Sequence, residues 1–165
     1  LDEELGVEPS VETNALYERL LLARDRVPAP LPDDGTQFVG RQHELTFILE
    51  QLTRPECRLL TIVGLGGMGK TRLALAAARA VDQMDAMLFL NGVAFVPLTG
   101  ITNSNGLLTA VLSALDVKPK PGPLLDQVIT TLRGRETLLI LDNFEELLNE
   151  IASIRRIVSE CPDIT

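Results

Sequence analysis

Lys70, Thr71 and Asp142, with the glycines just before the first pair, are the residues whose types and spacing could do chemistry. Gly64-Leu65-Gly66-Gly67-Met68-Gly69-Lys70-Thr71 fits the spacing G-x-x-x-x-G-K-[ST] at every fixed position. That spacing suits a phosphate chain. Glycines let the backbone reach positive φ, so neighbouring N–H groups can turn toward one anion. A helix beginning near Lys70 would add its unpaired N–H groups and the positive end of its dipole. Lys70 would reach the β/γ-phosphates, and the Thr71 hydroxyl would hold Mg²⁺. The second landmark is Asp142. It closes the apolar run Leu138–Leu141, which predicts a strand covered on both faces. Open α/β sheets place ligands at such strand ends. A carboxylate there can hold Mg²⁺ through water. The plainer alternative is an Asp that caps the following helix.

Other stretches must position these groups. Arg58–Val63 reads as the strand leading into the glycines. Leu73, Ala74, Ala77, Ala78 and Val81 mark a helix with a small-residue face that could lie close to a sheet. Arg72 faces either the nucleotide or solvent. Upstream, Leu45, Ile48, Leu49 and Leu52 follow i, i+3, i+4, i+7, so Gln42–Thr53 is predicted as a helix. Its lead-in, Phe38-Val39-Gly40-Arg41, either lies over a nucleotide base or is an ordinary turn. His43 reads as a surface residue of that helix. The apolar stretches 86–90 and 93–98 flank Asn91-Gly92 and fit a hairpin, or a bent approach into a single strand Val93–Pro97. Helices are predicted around Leu107–Leu115 and Leu124–Leu132, the second closed by Gly134. Phe144–Ile154 is predicted to continue as one helix, and Ile151, Ile154 and Val158 extend its apolar face until Pro162.

The N-terminal part differs. Leu1–Leu5 reads as a helix end stopped by Gly6. Ser10 is a candidate N-cap for an amphipathic helix carrying Leu16, Leu20 and Ala23. Alternate prolines at 28, 30 and 32 predict an extended linker. The expected division is therefore residues 1–26, a helical module; 27–36, a linker; and 37–165, a nucleotide-binding domain.

Composition narrows the classes. The 165 residues suit one domain with an appendage. The net charge is −8, and residues 1–34 hold nine acids against three bases. No basic face for nucleic acid is visible, so direct DNA contact by this piece is not expected. Cys57 and Cys161 have no metal-type spacing and read as idle thiols in a reducing cytosol. No apolar run is long enough for a membrane span. The start at Leu1, without Met or a signal-peptide pattern, suggests a piece of a longer cytoplasmic protein.

Gly64–Thr71 followed by Arg72-Leu73-Ala74 resembles the Walker A form of the signal-transduction ATPases with numerous domains, including the NB-ARC group. Phe38–Arg41 with Glu44 resembles the Gly-Arg motif of the same class. Gly92–Leu98 and Leu139–Glu145 resemble its bacterial regulator branch. Leu5–Ser10 through Ala15–Arg19 looks like the tail of a bacterial transcriptional activator domain, a helical-repeat module. The resemblance implies a P-loop α/β fold, a mainly parallel sheet with helices on both faces. It implies an ATP/ADP-binding, Mg²⁺-dependent switch inside a bacterial transcriptional regulator. Its partners would be the nucleotide, other domains of the same chain and other copies on activation. Site residues would be Val39, Gly40, Arg41, Gly64, Gly66, Gly67, Met68, Gly69, Lys70, Thr71 and Arg72, with Thr71 and Asp142 on the metal.

One departure concerns turnover. Fast ATPases of this kind often place an acid directly after the Walker B Asp, where this chain has Asn143. An amide cannot take a proton from water, so slow hydrolysis is expected, with Glu145 or Glu146 as the substitute base. The resemblance also implies a further strand starting near Ile164, between the Gly64 strand and the Asp142 strand. Without it two buried edges would stay unpaired, and residues 37–165 alone would be poorly stable. The rival readings are a fast motor or transport ATPase, which would need a strong base, and an interaction scaffold with a vestigial loop.

Overall fold

The computed structural model describes residues 10–24, 31–32, 35, 38–84 and 88–165. The expected helix end at Leu1–Leu5 and most of the linker at 27–36 lie outside the described residues. Helix α1 spans Val11–Arg24, and Ser10 caps it by accepting from the Thr13 amide at 3.2 Å. Leu16, Tyr17 and Leu21 on α1 are exposed.

The described residues from 38 onward form a layered α/β unit. Its elements are α2 (Gln42–Leu52), α3 (Lys70–Gln83), β1 (Val93–Pro97), α4 (Ser104–Ala114), α5 (Leu124–Leu132), β2 (Leu138–Asp142) and α6 (Ile151–Glu160). The strands pair in parallel, from Val93 opposite Leu138 to Pro97 opposite Asp142. Parallel neighbours need a crossover, and α4 and α5 supply it. Side chains alternate across the sheet with period two. Ala94 and Val96 of β1, with Leu139 and Leu141 of β2, join the core built by α4, α5 and α6. Val93, Leu138 and Ile140 join the opposite core, built by α2 and α3. Helices therefore cover both faces, which is why both strands read as unbroken apolar runs.

The α3 face is small for a reason. Ala77 and Ala78 are buried against the sheet beside Leu73 and Val81, so the backbone can approach closely. Side chains such as Leu132, fully buried on α5, each contribute roughly 1.5–3 kcal/mol by leaving water. The short turn 133–134 then ends α5, with Gly134 at φ 72°.

Three expectations are corrected, and the two open readings of Asn91-Gly92 are decided between. The sheet is small: among the described residues it has two strands, extended by a parallel bridge between Thr137 and Ile164. Arg58–Val63 forms no strand, because no ladder partner lies beside it among the described residues, and a strand exists only through its neighbours' hydrogen bonds. Asn91-Gly92 is not the tip of a hairpin. The Gly92 amide closes a turn onto Phe89 O at 2.8 Å, and the chain then enters β1 directly. Residues 85–87 lie outside the described set. Finally, Phe144–Ile154 is not one α-helix. Phe144–Glu150 is 3₁₀, broken at Leu147 (φ −113°), and α6 starts at Ile151. Full burial of Leu147 accompanies the break, and apolar spacing alone cannot separate the two helix types.

Candidate functional site

Residues 64–69 form an irregular loop that runs into α3. Only Gly67 (φ 75°) and Gly69 (φ 77°) use the left-handed region; Gly64 and Gly66 do not. The freedom expected of all four glycines is thus required at two of them. Gly69 is the N-cap, and its carbonyl accepts from the Leu73 amide at 3.0 Å. Among the described residues, the amides of Gly66, Gly67, Gly69, Lys70 and Thr71 make no backbone hydrogen bond. A set of free amides at a helix start is what an anion needs.

The Lys70 ammonium folds back over this loop. Its Nζ donates to Gly64 O at 2.9 Å and Leu65 O at 3.2 Å. That holds one positive charge above the free amides. At the next residue, Thr71 Oγ1 donates to both carboxylate oxygens of Asp142, at 2.8 and 3.0 Å. The start of α3 and the end of β2 therefore meet at one point, as the strand-end position of Asp142 predicts. A hydroxyl and a carboxylate are hard oxygen donors that suit Mg²⁺. No group of three or more His, Cys, Asp or Glu that could hold a metal exists among the described residues. Two protein oxygens fit Mg²⁺ when phosphate and water complete its shell.

Lys70, Asp142, Asn143 and Glu145 line a cleft of about 570 Å³, together with Gly64 and Gly66 and an apolar wall from residues 59–63 and 138–141. Glu145 is exposed on this cleft, whereas Glu146 does not line it. Asn143 sits at φ 64°, ψ 39°, a left-handed conformation that Asn tolerates better than most residues. Val39, Gly40, Arg41 and Arg72 do not line the cleft. Val39 is 82% exposed, and Arg41 is left-handed (φ 54°) as the N-cap of α2. Met68 is half exposed at the rim of the loop.

The family model for the AAA ATPase domain matches residues 37–158. This chain belongs to that family. The chain is similar, at 34% identity over 66% of its length, to a putative HTH-type transcriptional regulator of Mycobacterium tuberculosis. It is 33% identical over 79% of its length to an uncharacterized protein of the same organism. Regulatory protein AfsR of Streptomyces griseus is 29% identical over 98% of the chain. The chain spans 12%, 32% and 19% of the length of these three relatives. No solved structure matches.

Sequence reasoning missed two residues that tie distant segments together. Arg58 donates to main-chain carbonyls of 158, 161 and 164. Asn91 holds Glu136 through both its backbone and its side chain. The only sequence signal for the first is a lone cation at the head of an apolar run. Of the cysteines, Cys161 is buried and its thiol is pushed up by burial, which keeps it protonated and unreactive. No described helix is long and apolar enough to cross a membrane.

Proposed function

We propose that this domain binds ADP and ATP with Mg²⁺ and acts as a slowly hydrolysing switch within a bacterial transcriptional regulator of the signal-transduction ATPase class. The observation that carries the reading is the meeting of Thr71 and Asp142 beside free loop amides and the Lys70 ammonium. The glycine loop would cradle the phosphates. Lys70 would exchange a carbonyl contact for a phosphate oxygen, and Thr71 and Asp142 would open to admit the divalent ion between them. Bound Mg²⁺ would supply charge neutralisation on the β/γ-phosphates. Glu145, the acid on the cleft, is the candidate base, and the Asn143 amide cannot serve.

The named relatives support the regulatory setting: one is a putative HTH-type transcriptional regulator and another a regulatory protein. In this reading residues 1–26 are the end of a separate helical module, 27–36 a linker and 37–165 the switch. Nucleotide exchange rearranges the neighbouring domains, and copies associate on activation. Asn143 argues against a fast motor, and the paired Thr71–Asp142 argues against a vestigial loop. Calorimetry with ADP and Mg²⁺ tests the reading. Wild-type protein should bind, and Lys70→Ala should abolish binding; unchanged affinity in the variant would overturn the assignment.

A further inference from the structure

Arg58 stands at the root of the apolar segment that leads into Gly64, and its side chain is part-buried. Its guanidinium donates to Ile164 O at 2.9 Å (Nε), and to Val158 O at 3.1 Å and Cys161 O at 2.6 Å (both Nη2). Val158 lies in the last turn of α6, where carbonyls lack helical partners and the dipole favours a cation. Ile164 is the residue that bridges Thr137 at the edge of β2. One side chain therefore ties the loop-bearing segment to the end of α6 and to the margin of the sheet. The planar fork of Arg suits several acceptors at once, which the single ammonium of Lys does not.

The segment needs such a tie. Residues 59–63 have no ladder partner among the described residues, and the apolar cleft separates them from β2. Leu60 and Ile62 pack against the α2/α3 core, and hydrogen bonds hold the segment beside β2 at its two ends. One is the Thr71–Asp142 hydrogen bond past the loop; at the root stand the three bonds of Arg58, with Thr165 Oγ1 donating to Cys57 O at 3.4 Å next to them. We infer that Arg58 is a positioning residue for the nucleotide site. It sets how the phosphate loop stands relative to Asp142, although it touches neither nucleotide nor metal. A Mg²⁺ ion shared between Thr71 and Asp142 is sensitive to that placement, whereas phosphate held by the loop alone is less so. The inference rests on the nucleotide-binding reading above.

The test is ADP affinity of the intact protein with and without Mg²⁺, for wild type, Arg58→Ala and Arg58→Lys, with melting temperature measured separately. Arg58→Ala should weaken Mg²⁺–ADP binding about tenfold. It should weaken metal-free ADP binding less, and added guanidinium ion should restore part of the loss. Arg58→Lys should fall between the two and serves if the alanine variant does not fold. A variant that melts earlier yet keeps wild-type affinity and Mg²⁺ dependence would show a merely structural clasp and overturn the inference. Failure of the wild type itself to bind ADP would instead sink the nucleotide reading, and this inference with it.

Discussion

The two edges of β2 are built differently. Along one edge β1 pairs with it over the whole length, from Val93–Leu138 to Pro97–Asp142. Along the other edge, among the described residues, the chain makes the Thr137–Ile164 bridge, with Leu139 N donating to Thr165 O at 2.9 Å and Thr165 N to Thr137 O at 3.3 Å. Beyond that bridge lies the apolar cleft, and then the segment carrying the phosphate loop. The closed side is held by packing and a ladder. The open side has no ladder: Leu60 and Ile62 pack against the α2/α3 core, and side-chain ties hold its two ends. In the proposed reading the site draws on both edges: Asp142 is paired with Pro97 on the laddered edge, and the phosphate loop stands beyond the other.

Mutations on the two sides should separate accordingly. Leu132→Ala, at a fully buried site on the closed side, should cost roughly 2–5 kcal/mol in urea unfolding. Leu59→Ala, 62% exposed on the open side, should cost under about 0.5 kcal/mol. Equal losses would erase the comparison. Next in size is Thr71→Val, which removes the hydroxyl bonded to Asp142. It should lower Mg²⁺-dependent nucleotide affinity about tenfold while sparing the fold, a difference that calorimetry with and without Mg²⁺ can read.

Hydrogen exchange sharpens the same contrast at lower amplitude. Amides of 59–63 should exchange well before those of 138–142. Slower exchange at 59–63 would mean that the segment has partners this arrangement does not show. The smallest effect concerns pH. Burial raises the Cys161 thiol pKa above its unfolded value, so the folded state holds that proton more tightly. Its contribution is intact below the unfolded thiol pKa and is lost as pH rises through the folded one. Cys161→Ala should flatten the alkaline decline seen in a stability-versus-pH series.

What could be read in advance follows from which forces are local. Helical spacing located α2 to α5 because each buries one face, as Ile48 and Leu52 do. The glycine spacing and the strand-ending Asp142 were legible as patterns, and a loop into α3 and the end of β2 stand where they fall. The 3₁₀ segment escaped because Phe144, Leu147, Leu148 and Ile151 would suit an α-helix equally well. The strand expected at Arg58–Val63 failed for a non-local reason. Its residues favour a strand, but pairing depends on a neighbour. Arg58 was invisible because its acceptors are backbone carbonyls, which any residue supplies.

The clip at Asn91 has a consequence for Asp142. Its amide donates to Glu136 O at 2.9 Å, while its side-chain oxygen accepts from Glu136 N at 2.9 Å. This two-way clasp locks the alignment of both strands at their entrance, the end away from Asp142. A slip by one residue would turn every β2 side chain over, and the carboxylate would leave the threonine for the far layer of helices. The address of the proposed magnesium ligand is therefore written at the other end of the sheet, by an amide that never meets it.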